Sequence, residues 1–319
     1  MPPHRRRGSV RQGRNGSSTY FLTSQYLPLT PLASSHTDPK HFATTMPFNI
    51  LDFKCALITG GGGGLGRAMA EHFLRDGKKV IIAGRTESNL QETSKALDNC
   101  PYYVLDTGDI SSISDFVQRI TTEHPELDCL INNAGVQRPL DVNEMSSEDF
   151  LTKADQEVYI NVFGPMHLAI NLLPHLKSKS AGGAGAVIMN VSSVLGFLPS
   201  SIINPVYNGT KAWIHFWSMN LRTQIAQGKY GGQVGGSNVR VVEIVPPSVG
   251  TDLHRERKDP DDNKKHKGAN ALTVEEFMEE LAQGLKDDKD TISAGPGVKL
   301  VERWFGEFGE DYRKAEGKM

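Results

Sequence analysis

The sequence predicts an α/β protein with a doubly wound parallel sheet in a single domain. Three observations support this prediction: short apolar runs alternate with longer stretches of helical period, the runs are continuously apolar, and a glycine run follows the first of them. Continuously apolar strands are typical of a parallel sheet that helices cover on both faces. Strands that alternate with helices at this spacing are typical of the doubly wound arrangement.

The N-terminal stretch, residues 1–45, contributes no predicted element. It holds five arginines, many Ser and Thr residues and one acid, Asp38. Such a composition is typical of disorder, and an Arg-rich, Ser-rich and acid-poor stretch is also typical of a mitochondrial targeting segment. A start of translation at Met46 is a further interpretation. We expect a disordered or targeting extension, followed by one folded domain over residues 46–319.

The elements of the domain follow from the hydrophobic pattern. The six candidate strands are Cys55–Thr59, Val80–Ala83, Tyr102–Leu105, Cys129–Ile131, Ala186–Val191 and Val239–Val245. Helical patterns lie near residues 65–76, 88–97, 111–124, 147–178 and 207–227. A charged loop, Leu253–Lys267, precedes Thr273 and Glu276, whose spacing predicts a capping box for a helix over Val274–Leu285. A short strand near Thr291–Ala294 and a closing helix complete the pattern.

Composition excludes several classes of protein. Lys and Arg number 35 against 37 Asp and Glu, so the net charge is −2, which offers no electrostatic footprint for nucleic acid or an anionic membrane. No apolar run approaches the roughly 20 residues of a membrane-spanning helix. The three cysteines form no C-x-x-C pair, so neither a disulfide scaffold nor a metal site is expected. A reducing compartment is favoured, which is the cytoplasm unless residues 1–45 direct the chain to mitochondria.

A glycine turn, Thr59–Gly66, directly follows the first strand and opens a helix. Such a turn needs positive φ values and lets the backbone approach a pyrophosphate, to which the helix N-terminus offers N–H groups. A P-loop would require Gly-Lys-Ser/Thr, whereas Arg67 and Ala68 follow here. The turn therefore predicts the dinucleotide site of a Rossmann fold, with the cofactor-binding residues Gly60, Gly64, Leu65 and Gly66.

The end of the second strand indicates which nicotinamide dinucleotide binds. An acidic residue usually holds the 2′-hydroxyl of NAD at this point, whereas an arginine suits the 2′-phosphate of NADP. Gly84 stands at the position of the acid, and Arg85 follows it. A charge-assisted hydrogen bond from Arg85 to the phosphate favours NADP(H) over NAD(H). The alternative interpretation is an exposed arginine without this role.

Several further motifs resemble those of the short-chain dehydrogenase/reductase superfamily, and the resemblance covers residues 46–319. They are the N-N-A-G of Asn132–Gly135, the Asn-Val-Ser-Ser run of Asn190–Ser193, the Y-x-x-x-K of Tyr207–Lys211, and the segment Pro246–Thr251. This last segment matches P-G-x-V-x-T, except that Pro247 replaces glycine. The glycine turn also fits the longer epimerase-like branch, but N-N-A-G favours the short oxidoreductase branch. The stretch Asn132–Leu140 and the Pro-Pro pair are similar to the DltE-like oxidoreductases.

Tyr207 and Lys211 are four residues apart, which puts both side chains on one face of a helix. A free tyrosine has a pKa of about 10 and is a poor base at neutral pH. A nearby ammonium group stabilises the phenolate and lowers that pKa. We therefore expect Tyr207 to exchange a proton with a carbonyl or alcohol oxygen as hydride moves. By resemblance, Lys211 also binds the nicotinamide ribose.

The resemblance implies the remaining site residues. Ser193 is expected to bind the substrate oxygen, with Ser192 as the alternative, because Ser193 stands fourteen residues before Tyr207, one more than is common in the family. Asn161 matches the helix asparagine that anchors a water in the proton relay, and a satisfied core asparagine is the alternative. Asp106 aligns with an aspartate at the adenine, with Asp109 as its competitor. The other implied cofactor contacts are Asn133, Ala134, Gly135, Pro246, Val249 and Thr251.

The sequence thus predicts an NADP-dependent oxidoreductase that interconverts a carbonyl compound and a secondary alcohol. The alternative is a catalytically weak, NADP-binding regulatory or scaffold protein of the same fold. By resemblance, residues 253–288 form a lid over the substrate. The resemblance also implies a homodimer or homotetramer; the residues expected in the core or in this helix-packed interface are Met166, Trp213, Phe216 and Trp217.

Overall fold

Seven parallel strands form one sheet in a computed structural model that describes residues 48–179, 184–227 and 238–317. The strands are β1 Cys55–Thr59, β2 Lys79–Gly84, β3 Tyr102–Val104, β4 Cys129–Asn132, β5 Ala186–Val191, β6 Val239–Val245 and β7 Thr291–Ser293. Their order across the sheet is β3-β2-β1-β4-β5-β6-β7. The doubly wound parallel sheet is confirmed, whereas the interpretation of residues 1–45 lies outside the described residues.

Helices alternate with these strands throughout the described ranges. They are α1 Gly64–Arg75, α2 Glu87–Ala96, α3 Ile110–Glu123, α4 Ser147–Val158, α5 Gly164–Lys179, α6 Pro205–Gln227, α7 Val274–Lys286 and α8 Gly297–Glu316. The sequence predicts one helix over 147–178, but a π-helical turn, Tyr159–Phe163, joins α4 to α5. The predicted capping box is confirmed: the Thr273 hydroxyl accepts from the Glu276 amide at 3.2 Å, and the Glu276 carboxylate accepts from the Thr273 amide at 2.9 Å.

Two hydrophobic layers cover the two faces of the sheet. One layer contains Phe73 of α1 and Leu281 of α7. The other contains Ile113 of α3, Leu168 of α5 and Leu221 of α6. Because both faces are covered, β1, β4 and β5 are buried along their whole length, which explains why these strands read as continuous apolar runs in the sequence.

The three cysteines are buried in this core, and all of them are free thiols. Cys55 and Cys129 lie in the central strands β1 and β4, and Cys100 precedes the edge strand β3. Burial raises the pKa of each thiol, to about 12 for Cys55. In the described ranges, no group of three or more His, Cys, Asp or Glu side chains could hold a metal ion. No helix of the described chain is long and apolar enough to cross a membrane.

The topology determines where a ligand site can form. Strand order reverses between β1 and β4, because the chain builds one half of the sheet as β1-β2-β3 and then returns to build the other half from β4. Loops that leave the carboxyl ends of β1 and β4 therefore diverge to opposite faces and leave a crevice between them. The glycine turn and the N-N-A-G segment both lie at this crevice.

Candidate active site

A cavity of about 760 Å³ lies at the carboxyl ends of the strands, where the order of the sheet reverses. Its volume is in the range of ligand and cofactor sites. The predicted site residues that line it are Gly60, Gly64, Leu65, Arg85, Asn133, Ala134, Gly135, Ser193, Tyr207, Lys211, Pro246, Val249 and Thr251. Gly66, Asp106 and Asn161 do not line it.

The glycine turn is crowded at its base and open at its tip. Gly60 has a φ of 68°, and a Cβ there would lie 2.9 Å from Asn133 Nδ2. A Cβ on Gly66 would lie 2.3 Å from the Gly60 carbonyl oxygen, whereas a Cβ on Gly63 would meet nothing within 4 Å. The first N–H groups of a helix lack intrahelical acceptors and favour an anion. The open backbone in front of α1 therefore fits the pyrophosphate of a dinucleotide.

Thr59 and Asn133 tie the glycine turn to the loop after β4. The Thr59 hydroxyl oxygen accepts hydrogen bonds from the backbone N–H groups of Asn133 and Ala134, both at 3.0 Å. The side-chain amide of Asn133 donates to the Thr59 carbonyl oxygen at 2.9 Å. The turn is thus held in one conformation by its neighbours, which lowers the entropy cost of binding a ligand there.

Arg85 lies at the end of the cavity beyond β2, together with Thr86 and Asn89. Its side chain is exposed. The carboxylates of the described chain that line the cavity, Asp252 and Asp262, come from the segment after β6 instead. A positive group without an accompanying acid at the end of β2 suits a 2′-phosphate.

Asp106 and Asp109, the two candidates for the adenine contact, both bond to their own loop. The Asp106 carboxylate accepts from the Gly108 amide at 2.9 Å, and Asp109 caps the N-terminus of α3. Leu105 and Thr107, on either side of Asp106, line the cavity. The structure therefore places the Asp106 loop beside the cavity, with the Asp106 side chain exposed to solvent.

Tyr207, Lys211 and Ser193 are adjacent in the cavity wall. Tyr207 and Lys211 are one turn apart on α6, each about 5% exposed, and Lys211 Nζ lies 5.4 Å from the centroid of the Tyr207 ring. Lys211 Nζ donates to the Val191 carbonyl oxygen at 2.7 Å. The Ser193 side chain lies close enough to Tyr207 to lower its pKa, against the larger effect of burial. The end of β5 and the start of α6 thus bring the three predicted residues together.

The two serines after β5 have different surroundings. Ser192 is 1% exposed and its hydroxyl donates to the Glu243 carboxylate at 2.5 Å. The Ser193 hydroxyl oxygen accepts from the Leu195 amide at 3.2 Å, makes only a long contact of 3.5 Å to the Pro246 carbonyl oxygen as a donor, and is beside Tyr207. Because the Ser192 hydroxyl is engaged by Glu243, the geometry supports Ser193 as the residue that binds a substrate oxygen.

Asn161 lies in the π-helical turn and bonds it to the loop after β4. Its Oδ1 accepts from the Val136 amide at 2.9 Å, and its Nδ2 donates to the Val136 carbonyl oxygen at 2.8 Å. The same Nδ2 lies 3.2 Å from the Thr210 hydroxyl of α6. The side chain is therefore a satisfied buried amide, and its predicted part in anchoring a water stays a prediction.

Burial governs the protonation of the Tyr–Lys pair. It raises the pKa of Tyr207 far above the ordinary value, and the Glu157 carboxyl adds to the rise. The sequence-based expectation that a nearby ammonium lowers this pKa is wrong for the described structure: Ser193 and Arg257 oppose the rise, and desolvation outweighs both. Burial also lowers the pKa of Lys211 to about 8, against the opposing effects of Glu157 and Glu243. Tyr207 thus carries its proton at neutral pH, as a general acid must.

The charged loop forms one wall of the cavity. Arg257 fastens it to the opposite side, since its guanidinium donates to Asn204 Oδ1 at 2.5 Å and to Gln137 Oε1 at 3.1 Å. Within the predicted lid, residues 253–288, only this loop lines the cavity, whereas α7 packs into the hydrophobic core. The part of the predicted lid that lines the cavity is therefore the charged loop; its role as a lid stays a prediction.

Three buried charged residues near the Tyr–Lys pair did not emerge from the sequence. Glu157 of α4 is fully buried, neither of its carboxyl oxygens has a hydrogen-bond partner in the described chain, and burial raises its pKa to about 8. Arg138, after β4, pairs with Glu256 of the charged loop at 3.2 Å. Glu243 lies in β6, where an acid inside an apolar run was a visible signal.

Comparison with known proteins shows the family of the chain. A family profile described as short chain dehydrogenase matches residues 54–262, the part that holds the glycine turn and the Tyr–Lys pair. The chain belongs to this family of oxidoreductases. It is 33% identical over 237 residues to a Bacillus subtilis (strain 168) protein named uncharacterized oxidoreductase DltE, across 74% of this chain and 86% of that protein.

A second relative has a more specific name. The NADP-dependent 3-hydroxy acid dehydrogenase YdfG of Escherichia coli (strain K12) is 32% identical over 229 residues, across 70% of this chain and 85% of that protein. Among solved structures, a short-chain dehydrogenase/reductase from Burkholderia phymatum in complex with NAD superposes with a TM-score of 0.67 at 20% identity, covering 82% of this chain and 95% of that one. At that identity the similarity shows the fold alone.

Proposed function

We propose that the protein transfers a hydride between NADP(H) and a carbonyl compound or secondary alcohol, with Tyr207 as general acid and base. The observation that carries the proposal is the adjacency of Tyr207, Lys211 and Ser193 in the wall of a cavity that reaches the glycine turn and Arg85. The family supports the reaction class, and the name of YdfG describes an NADP-dependent dehydrogenase of hydroxy acids.

In the reducing direction, Tyr207 donates its proton to the carbonyl oxygen, while the Ser193 hydroxyl donates a hydrogen bond to the same oxygen. Hydride transfer is the chemistry that a bound nicotinamide supplies. Lys211, whose Nζ lies 5.4 Å from the centroid of the Tyr207 ring, would hold the nicotinamide ribose, and its positive charge would favour the phenolate left after proton transfer.

NADP(H) is proposed over NAD(H) because of the charge at the end of β2. Arg85 lines the cavity there, and the acids that line it come from after β6. The pyrophosphate would bind at the glycine turn, and the loop around Asp106 would border the adenine. The nicotinamide half would contact the remaining predicted residues of the cavity wall: Asn133, Ala134, Gly135, Pro246, Val249 and Thr251.

The test is a binding titration combined with turnover. We expect wild type to bind NADPH more tightly than NADH, and R85A to lose about tenfold or more in NADPH affinity, because a hydrogen bond to a charged group contributes about 1.5–3 kcal/mol. R75A, an exposed arginine at the far end of α1, is the matched control and should retain the preference. NADPH oxidation with a panel of ketones and oxo acids should fall about 10²–10⁴-fold in Y207F.

Two outcomes would contradict the proposal. Equal turnover by wild type and Y207F would support the alternative of a cofactor-binding scaffold protein. Equal binding of NADH and NADPH by wild type, unchanged in R85A, would remove the argument for NADP. Light scattering and cell fractionation test the two remaining expectations from the resemblance and the composition, which are a homodimer or homotetramer and a cytoplasmic location.

A further inference from the structure

Glu243 is a buried acid that joins three elements of the fold. Its side chain is fully buried in β6, where one carboxylate oxygen accepts from the Ser192 hydroxyl at 2.5 Å and the other from His215 Nδ1 at 2.9 Å. A buried carboxylate costs free energy that its hydrogen bonds offset only in part, and an apolar residue at this place would avoid that cost. Packing alone therefore does not explain an acid here.

Both partners of Glu243 stand beside residues of the site. Ser192 directly precedes Ser193, and His215 lies one turn after Lys211 on α6. The His215 ring also packs against Phe197, with ring centroids 4.0 Å apart. Since His215 Nε2 has no hydrogen-bond partner among the described residues, the bond to Glu243 is the polar contact that orients the ring.

We propose that Glu243 is a positioning residue for the reaction, which holds Ser193 and Lys211 in register through Ser192 and His215. The inference rests on the proposed function, in which Ser193 and Lys211 act together. The end of β5 and the middle of α6 are independent elements, and one carboxylate of β6 bonds to both of them. A small change in its position would separate the serine hydroxyl from the ammonium group, and misplacement of catalytic groups costs rate steeply.

The negative charge of Glu243 also affects the pKa of Lys211. The charged side chains that act on Tyr207 or Lys211 are Glu157 of α4, Glu243 of β6 and Arg257 of the charged loop. Arg138 acts on Glu157, and His215 of α6 is bonded to Glu243. Burial lowers the pKa of Lys211, and Glu157 and Glu243 oppose that effect. Without the Glu243 charge, the Lys211 pKa falls below about 8, so the ammonium is lost at a lower pH.

The experiment compares E243Q, E243D and S192A with a matched control, S218A. Ser218 is fully buried on α6, the helix of Lys211 and His215, and accepts a hydrogen bond from the Asn190 side chain at 2.9 Å. In E243Q we expect kcat for NADPH-dependent reduction to fall about tenfold or more, with KM for NADPH within about threefold of wild type. The alkaline limb of its pH profile should move to lower pH. E243D should restore the limb, and S192A should lower kcat without moving it.

A second readout requires neither substrate nor cofactor. The ε-carbon of Lys211, labelled with ¹³C and assigned by comparison with K211R, reports its titration in the NMR spectrum. The midpoint should lie at lower pH in E243Q than in wild type and S218A. This measurement separates the two proposals, because loss of the proposed function would show as turnover that is absent or independent of Tyr207, whereas the Lys211 midpoint tests Glu243 directly.

The inference is overturned if E243Q matches S218A in kcat, pH profile and Lys211 midpoint, since the carboxylate would then serve packing alone. If E243Q does not fold, S192A and E243D decide. A lowered kcat in S192A with a wild-type pH limb in E243D supports the inference. A kcat in S192A equal to that of S218A overturns it.

Discussion

The buried side chain of Glu157 makes the free energy of unfolding depend on pH. Burial raises its pKa from 4.5 to about 8 in the folded protein. Between these values the folded chain holds a proton that the unfolded chain has released, so the free energy of unfolding falls as pH rises from about 4.5 to about 8. Below pH 4.5 both states are protonated, and this loss is absent.

We predict that E157Q removes this part of the pH dependence. Glutamine is neutral and of similar shape, so the stability of E157Q relative to wild type should be greater at pH 8 than at pH 5. Urea unfolding at both pH values measures the difference. E148Q changes an exposed glutamate of the same helix and should show no such trend. A wild-type difference between pH 5 and pH 8 that E157Q retains in full would contradict the assignment.

Residues differ in how far the sequence could predict them. Tyr207 and Lys211 belong to one short segment of a helix, and the glycine turn is a single local motif between a strand and a helix, so their local pattern and its resemblance to a known family indicated their use. Glu243 bonds to Ser192, which is 51 residues away along the chain, and Glu157 of α4 affects Tyr207 and Lys211 of α6. Spacing along the chain cannot reveal such contacts, although the acid in an apolar strand was a local clue for Glu243.

Among the elements, the charged loop is bonded to residues on the far side of the cavity by Arg257. Arg257 donates to Asn204 at 2.5 Å and to Gln137 at 3.1 Å across the cavity. It also pairs with Asp262 of its own loop at 2.7 Å. Without Arg257, Gln137 loses this donor and the bonds across the cavity are lost, so the loop is held less firmly when a substrate binds.

We predict that R257M raises KM for the carbonyl substrate by about tenfold and changes the affinity for NADPH much less, because the loop faces the substrate half of the cavity. Steady-state kinetics and the NADPH titration measure the two effects. K258M is the control, since Lys258 of the same loop is 90% exposed and forms a surface pair with Glu144 at 3.3 Å, which contributes little. Similar KM values for R257M and K258M would show that Arg257 does not hold the loop.

The strands were the most predictable elements, and the connection of α4 to α5 the least. A buried parallel strand is a continuous apolar run, so the pattern predicted the bounds of β1 to β7 within one residue. The π-helical turn at Tyr159–Phe163 was not predicted, because a widened turn has no signature in periodicity. It coincides with the bonds of Asn161 to Val136, a contact between residues 25 positions apart.

At the scale of the whole molecule, the site depends on the sheet as a unit. The cavity wall is built from the carboxyl ends of β1, β2, β4, β5 and β6, which are far apart along the chain. Neighbouring strands of the sheet are joined only through contacts of long sequence separation, and such sheets form slowly and open from their edges. The centre of the sheet and its β3 edge are therefore expected to differ in local stability.

The three buried cysteines can report this difference in local stability between the centre of the sheet and its edge. Cys129 and Cys55 lie in the two strands at the reversal point, and Cys100 lies next to the three-residue edge strand β3. Since burial keeps the reactive thiolate scarce, each thiol can be alkylated only when its surroundings open. We predict that iodoacetamide, followed by peptide mass spectrometry, modifies Cys100 faster than Cys129 in the native protein, and that the rates converge as urea approaches the unfolding midpoint. Equal rates without urea would mean that the edge and the centre of the sheet open together, in one cooperative unit.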